Sequence, residues 1–303
     1  MIETSKIKCV PEFLEKLKNI SQKLKAADEI SSLWFRGEPS ISYSTVLTPK
    51  AFRKYGGPLN EENLMKHVFL QAKSIEGNFK AAFLREATSF LIRDGIQLNG
   101  WNEYYMMQHY GLSTRLLDWS ENALIALFFA VENKNDTNDG VVWVLAPHTL
   151  NEFAIKIISG LSVSHIYTPT GRGNRTDLIE NRKLNLDELH RRYLELDFVD
   201  DEEHKSIKYY PLAIYPPLLD NRMSLQKACF TIFGNEVNGL LSGAEKDNFL
   251  IPIIIDTQAK KQIKEELKYI GINYKSVYPD LNGICKAIED YYDSSDSILR
   301  RIN

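Results

Sequence analysis

The longest uninterrupted apolar run in this chain is ALIALFFAV, at residues 123–131. A helix with apolar residues on all sides belongs in the interior of a protein rather than on its surface. A bilayer-spanning helix needs roughly 20 apolar residues, so this run is too short to cross a membrane. The pattern therefore predicts a buried central helix over Asn122–Asn133, with Asp118 or Ser120 as its N-cap.

Helical spacing of apolar positions predicts further helices around this centre. Phe13, Leu17 and Ile20 recur at helical spacing within residues 1–32, with lysines between them. Gly111 stands where a helix is expected to stop. The same patterns predict helices over Glu61–Asp94, Glu103–Tyr110, Thr257–Tyr269 and Pro279–Tyr291.

Shorter apolar and aromatic runs predict strands over Leu33–Arg36, Val141–Ala146, Ile207–Tyr215, Ala228–Phe233 and Phe249–Ile255. Pro252 lacks the N–H that a ladder hydrogen bond needs, which favours an edge or bulge position for the last strand. Together these elements predict one α+β domain over residues 1–303, in which a small mixed β-sheet is flanked by helices.

Residues 171–205 differ from the rest because they are dense in charge and end in DFVDDEEH. This composition favours a solvated helix and loop inserted into the domain, with a partner-binding arm as the alternative. Gly171-Arg172-Gly173 resembles part of a phosphate-binding loop. The preceding strand and the remaining glycines of such a loop are missing, so this signal is weak.

Composition narrows the function classes. The 303 residues are 44% hydrophobic and carry a formal net charge of -3. This balance argues against a broad electrostatic grip on nucleic acid or anionic lipid, although a local basic groove stays open. Cys9, Cys229 and Cys285 are far apart and lack metal-ligand spacing, so we expect a reduced protein without a metal site. The chain begins without an apolar signal segment, and we expect a cytoplasmic protein without membrane contact.

Several polar residues flank the central apolar helix. His109, Thr114, Arg115 and Asp118 lie just before it. A buried polar group without a partner costs about 1–3 kcal/mol. We therefore expect Arg115 and Asp118 to lie within salt-bridge distance of each other or of the loop at Arg36 and Gly37.

The segment QHYGLSTRLLDWSENALIALFFA at residues 108–130 resembles the signature of the FRG domain family, named after a Phe/Tyr-Arg-Gly motif. Phe35-Arg36-Gly37, preceded by Trp34, corresponds to that motif. The resemblance extends to LKYIGINYKSVYPDLNGICKAI at residues 267–288, so it runs over nearly the whole chain. Arg222, Gln226 and Phe230 also fit the family pattern, whereas Ala228 stands where a glycine is expected.

These motifs and residue types select one group of candidates. The candidate catalytic residues are His109, Arg36 and Gln226, and the candidate ligand-binding residues are Gly37, Tyr105, Thr114, Arg115, Asp118 and Arg222. Converging arginines favour an anionic ligand, because a guanidinium group forms bidentate hydrogen bonds with phosphate. The aromatics Trp34, Tyr105, Tyr110 and Trp119 would stack on a nicotinamide or a base.

Each candidate also has a structural interpretation. Arg36 is equally typical of a structural ion pair, and Asp118 of a helix cap or a partner for Arg115. His109 titrates near neutral pH and suits acid–base chemistry, but it also suits a hydrogen-bonded core position.

The resemblance implies a fold like that of the ADP-ribosyltransferases, in which an arginine at the end of an early aromatic strand helps to hold NAD. A late strand there presents a glutamate; Gln226 has the comparable position and Glu236 is the nearest acid. The implied function is an ADP-ribosyltransferase or NAD glycohydrolase, with NAD as substrate, and a role as a toxin or in phage defence. Its partners would be a protein or nucleic-acid acceptor and an antitoxin or other defence component.

Two other function classes stay open: a metal-independent nuclease or phosphodiesterase that uses His109, and a non-enzymatic module that binds a ligand or partner. A deep, partly aromatic cleft would favour NAD, whereas an open basic groove would favour a nuclease. The acidic net charge favours the former.

Overall fold

A computed structural model describes residues 5–24, 33–55, 62–133, 137–169, 176–179, 182–195 and 208–299. These residues form an α+β fold, as the apolar patterns predict. Within them, no helix has both the length and the apolar content to cross a membrane.

The main sheet, within the described residues, has six strands in the order β6-β7-β2-β1-β3-β8. Its strands are β1 (Trp34–Glu38), β2 (Leu116–Ser120), β3 (Gly140–Leu145), β6 (Leu212–Ile214), β7 (Ala228–Ile232) and β8 (Leu250–Ile255). All neighbouring strands in it run antiparallel. Parallel pairing occurs as isolated bridges at its two edges, between Ile7 and Ile255 and between Tyr167 and Ile214. The edge position expected from Pro252 is confirmed, because β8 ends the strand order.

The helices surround this sheet. They are α1 (Val10–Leu24), α2 (Lys50–Arg53), α3 (Glu62–Arg93), α4 (Trp101–His109), α5 (Ala123–Val131), α6 (Pro147–Ser159), α7 (Leu186–Glu195), α8 (Asn221–Leu225), α9 (Gly239–Ala244), α10 (Lys260–Tyr269), α11 (Tyr274–Val277) and α12 (Leu281–Leu299). The long helix expected at Glu61–Asp94 is confirmed as α3, and the last helix extends further than its apolar pattern indicates.

Helix α5 is the buried central helix that the apolar run predicts. Leu127 and Ala130 are fully buried, and Asn122 is the N-cap of the helix. The Asn122 Oδ1 atom accepts a hydrogen bond from the Leu124 N–H at 3.0 Å. The expected cap at Asp118 or Ser120 is therefore wrong, and both of those residues lie in a strand.

That strand, β2, lies between β1 and β7 near the middle of the sheet. Its residues are buried except for Asp118. Because buried residues occur on both faces of the strand, β2 lacks the apolar–polar alternation that marks a half-buried strand. The sequence pattern therefore favoured a helix cap at Asp118 or Ser120 rather than a strand, and this is the physical reason for the difference.

Helix α5 packs unusually close to the sheet through two glycines. A Cβ atom on Gly37 of β1 would lie 1.7 Å from the Ala126 carbonyl oxygen. A Cβ atom on Gly140 of β3 would lie 2.6 Å from the Ala130 carbonyl oxygen. Gly37 therefore permits a close backbone approach, as expected of a glycine, and the group that approaches it is the backbone of α5.

The charged segment 171–205 contributes partly to the core. It contains a two-stranded hairpin, β4 (Thr176–Ile179) and β5 (Arg182–Asn185), followed by α7. Leu189 and Tyr193 of α7 are buried, so this helix is not the solvated one that its charge predicts. Gly171-Arg172-Gly173 and DFVDDEEH lie outside the described residues.

Candidate functional site

One cleft brings together residues that are far apart in the sequence. It has a volume of about 710 Å³ and is lined by Arg36, His109, Asp118, Arg222 and Gln226. Arg36 comes from β1, His109 from the end of α4, and Arg222 from α8. The expectation that these three residues face one cleft is confirmed. Gly37, Tyr110 and Trp119 also line the cleft.

Arg36 is held by the protein on two sides. Its Nε atom donates to Glu38 Oε1 at 3.0 Å, and its Nη1 atom donates to the Asp118 carbonyl oxygen at 2.9 Å. Glu38 is itself buried and accepts from the Leu47 N–H and the Trp143 indole, each at 3.3 Å. Arg36 is thus a structural ion-pair partner as well as a residue of the cleft.

Helix α2 adds two cations that the sequence did not single out. Lys50 and Arg53 both line the cleft. Lys50 Nζ donates to the Gly111 carbonyl at 2.5 Å, and Arg53 Nε donates to the Thr48 carbonyl at 2.9 Å. Burial lowers the pKa of Arg53, and the neighbouring positive charge of Arg36 lowers it further. An anion bound near Arg36 and Arg53 would offset this repulsion. Lys50 and Arg53 are three residues apart on the helix and follow a serine-rich loop. This pattern was the sequence signal that could have identified them.

His109 forms a pair with a residue that sequence reasoning missed. Its Nε2 atom lies 2.8 Å from Asp220 Oδ2. Burial lowers the pKa of His109; Asp220 opposes this shift, and Arg222 adds to it. The imidazole is therefore neutral at neutral pH and able to accept a proton.

We expect acidification to destabilise the wild type more than a His109→Gln variant. The pKa of His109 is lower in the folded chain, whereas in the unfolded chain it keeps the ordinary value of about 6.5. The stability contribution of neutral His109 is thus complete above about pH 6.5 and is lost as the pH falls through the folded value. Melting temperatures between about pH 5 and pH 8 test this, with the exposed His67→Gln as control. Identical pH profiles for wild type and His109→Gln would contradict it.

Asp118 projects from β2 into the cleft. Its Oδ2 atom accepts from Gln108 Nε2 at 2.8 Å. The buried Thr114 hydroxyl donates to Gln108 Oε1 at 2.5 Å. Thr114 does not line the cleft, so it acts on the site through Gln108 rather than by touching a ligand. This chain of contacts fixes the direction of the Asp118 carboxylate.

The two candidates for the late-strand acid differ in position. Gln226, just before β7, lines the cleft, and its Nε2 atom donates to the Val277 carbonyl at 3.0 Å. Glu236 does not line the cleft and pairs with Lys208 at 3.6 Å. The carboxylates that do line the cleft are Asp118 and Asp280.

Arg222 lies over an aromatic ring. Its guanidinium carbon is 4.9 Å from the centre of the Tyr278 ring. Its Nε atom is buried and has no hydrogen-bond partner within the described part of the chain. Tyr278 was not among the expected site residues. It comes from the segment between α11 and α12, some 50 residues further on, and no local pattern announces this contact.

A comparison with known families matches residues 31–139. This range contains the Phe35-Arg36-Gly37 motif, helix α4, strand β2 and helix α5. The chain contains an FRG domain. Searches of curated proteins and of solved structures give no match. The family description specifies no activity, so it does not choose between the possible functions.

The cleft extends beyond the matched FRG segment. Arg222, Gln226, Phe230 and Asp280 all line it and all follow residue 139. Strand β2 of the FRG segment also pairs with β7, and β1 pairs with β3. A complete site therefore needs the later part of the chain, and the single domain over residues 1–303 stays a prediction.

Besides Thr114, two other expected ligand-binding residues, Arg115 and Tyr105, do not line the cleft. Arg115 is 0% exposed and donates from Nε to Glu76 Oε2 at 2.9 Å. The expected pairing of Arg115 with Asp118 or the Arg36 loop is therefore wrong, because Glu76 of α3 is its carboxylate. Tyr105 is also buried, and its ring stacks on Phe230 at 5.5 Å, beneath the cleft surface. Trp34 is likewise in the core.

No group of three or more histidine, cysteine, aspartate and glutamate side chains within the described ranges could hold a metal ion. Cys229 is buried, and burial raises the pKa of its thiol well above the ordinary value. The charged and titratable groups that line the cleft include arginine, lysine, histidine and aspartate side chains.

Proposed function

We propose that the cleft binds NAD and breaks its bond between nicotinamide and ribose, as an ADP-ribosyltransferase or an NAD glycohydrolase. The observation that carries this proposal is the convergence of Arg36, Arg53 and Arg222 on one cleft whose lining also includes aromatic residues. Its volume of about 710 Å³ lies within the usual range for small-molecule sites. Guanidinium groups suit the pyrophosphate, and the exposed ring of Tyr110 suits stacking against a flat heterocycle.

The proposed step assigns different work to Asp118 and His109. The bond between ribose C1′ and the nicotinamide nitrogen breaks, and its electron pair stays with nicotinamide. The Asp118 carboxylate stabilises the positive charge that develops at C1′, since its direction is fixed by Gln108. Water or an acceptor hydroxyl then attacks C1′, and neutral His109 takes its proton. With water, the products are ADP-ribose, nicotinamide and one proton.

We expect purified protein to release nicotinamide from NAD, alone or when protein and nucleic-acid acceptors are added. Asp118→Asn should slow release by about 100-fold or more, because it removes the charge that stabilises the transition state. Asp94→Asn is the matched control, since Asp94 is an exposed partner of Arg93 and does not line the cleft. Chromatography of released nicotinamide measures the rate. No release under any of these conditions, or full activity in Asp118→Asn, would overturn the proposal.

A second function is supported by the His109–Asp220 pair. A histidine held by a carboxylate beside Arg222 also suits a metal-independent nuclease or phosphodiesterase. In that case His109 would accept the proton of the attacking hydroxyl, and the arginines would stabilise the phosphoryl oxygens. A non-enzymatic ligand- or partner-binding module is the remaining class. The toxin or phage-defence role, with its antitoxin or defence partner, is a proposal that rests on the resemblance of the FRG motifs.

A further inference from the structure

The two motif arginines of the cleft differ in how far the protein already satisfies them. Arg36 gives its Nε to Glu38 and its Nη1 to the Asp118 carbonyl. Both contacts are made in the protein itself, and the second joins β1 to β2 beside the Asp118 side chain. This arrangement is typical of a residue that positions its neighbours.

Arg222 has no such contacts. Within the described part of the chain it donates no hydrogen bond and forms no ion pair, and its Nε atom is buried without a partner. Its guanidinium contacts the face of the Tyr278 ring. A buried donor is nearly always paired in a folded protein, so an unpaired one calls for an explanation such as an absent ligand.

The carboxylates near Arg222 are occupied elsewhere. Asp220 uses Oδ2 for His109 and Oδ1 for the Met223 N–H at 2.7 Å. Asp280 Oδ1 accepts from the Gly283 N–H at 2.8 Å, near the start of α12. Glu132 lies 3.9 Å from Lys286. Each of these carboxylates contacts another group, and within the described residues none of them forms an ion pair with Arg222.

The ring beneath Arg222 is held firmly. Tyr278 stacks on Tyr274 with ring centres 6.4 Å apart, and it forms a T-shaped pair with Phe129 at a centre-to-centre distance of 6.1 Å. Phe129 also lines the cleft. An aromatic ring that is itself held in place keeps the planar guanidinium in one orientation. This orientation suits a bidentate contact with a phosphate.

We propose that Arg222, supported by Tyr278, is the residue that binds a phosphate group of the ligand, and that Arg36 is a positioning residue for Asp118. This assignment rests on the proposed function only in requiring a phosphorylated ligand in the cleft. It names the ligand class as a compound with a phosphate or pyrophosphate group, of which a nucleotide is one example.

Calorimetric titration with inorganic pyrophosphate and with ADP-ribose tests the assignment. Arg222→Gln should weaken binding of both by at least about tenfold, and Arg222→Lys should lose much of it because ammonium lacks the planar fork. Lys227→Gln removes the same charge five residues along and does not line the cleft, so it should bind as wild type does. Unchanged affinity in Arg222→Gln would overturn the assignment.

Thermal melting separates ligand binding from a structural role. Since Arg222 is not hydrogen-bonded to the described protein, Arg222→Gln should melt within a few degrees of the wild type without ligand. Pyrophosphate should raise the wild-type Tm, because a ligand that binds only the folded state stabilises it, and should not raise the variant's. A large fall in Tm without ligand would assign Arg222 to the fold instead.

The two proposals fail in different ways. If NAD is cleaved equally by wild type and Arg222→Gln, the proposed function stands and the phosphate assignment is wrong. If pyrophosphate binding depends on Arg222 while NAD is neither bound nor cleaved, the phosphate assignment stands and the NAD proposal is wrong.

Discussion

Replacing Glu76 with alanine is expected to lower the free energy of unfolding by about 3–5 kcal/mol, because it leaves the Arg115 guanidinium charged and buried. Arg115 joins four parts of the fold. It meets Glu76 of α3 through both its side chain and its backbone N–H, and it donates to the carbonyls of Phe233 and Tyr193. The Tyr104 hydroxyl also donates to Glu76.

Arg115 stays charged when Glu76 is removed, because an arginine side chain does not lose its proton in proteins. Burial alone would lower the pKa of Arg115, but Glu76 raises it, and the net shift is upward. The free energy of unfolding of an ordinary domain is about 5–15 kcal/mol, so the Glu76→Ala substitution would remove a large part of it. We therefore expect Tm to fall by roughly 6–20 °C.

Denaturant unfolding of three variants measures this effect. The exposed pair Arg85–Glu86 supplies the control, and Glu86→Ala should change stability by less than about 0.5 kcal/mol. The double variant Glu76→Leu with Arg115→Met should recover part of the loss, because it no longer buries an unpaired charge. Wild-type stability in Glu76→Ala would contradict the structural role of this pair.

Replacing Gly37 with alanine is expected to destabilise the fold by at least about 3 kcal/mol. The new methyl would lie 1.7 Å from the Ala126 carbonyl oxygen, so β1 and α5 would have to separate. Ala126→Gly should not rescue it, because the clash is with the backbone. Separation would also move Arg36, the neighbour of Gly37 in β1, and so disturb the cleft.

Gly77→Ala is the matched control for this substitution. Gly77 lies within helix α3, and a Cβ atom there would meet nothing within 4 Å. Alanine favours the helix over glycine by about 1 kcal/mol, so this variant should be slightly more stable than wild type. Circular dichroism melts of both variants give the comparison. Equal stability of Gly37→Ala and wild type would show that the helix and strand can part without loss.

The sequence predicts the elements whose packing is decided locally. The run at 123–131 is apolar on every side, so its burial as α5 follows from composition alone. Strand β2 was missed because all its residues except Asp118 are buried, which hides the alternation typical of a strand, and because it ends in Asp-Trp-Ser, which mimics a helix cap. The hydrophobic pattern of a segment does not show which neighbouring elements will cover that segment in the fold.

The same limit applies to the site. Arg36, His109 and Arg222 were expected in one cleft on the strength of motifs, and they line it together. Arg115 belongs to the same signature but faces the core, because its partner Glu76 is 39 residues earlier in the chain. Tyr278 and Asp220 were missed since their roles depend on contacts that only the folded chain makes.

Calorimetric titration of the wild type with NAD, and separately with a short RNA, tests the central claim about the cleft most directly. We expect one NAD site per chain and no RNA binding of comparable affinity at physiological salt. Gly77→Ala should bind NAD as wild type does, since Gly77 is outside the cleft. Binding of RNA without NAD would contradict the account and assign the cleft to a nuclease.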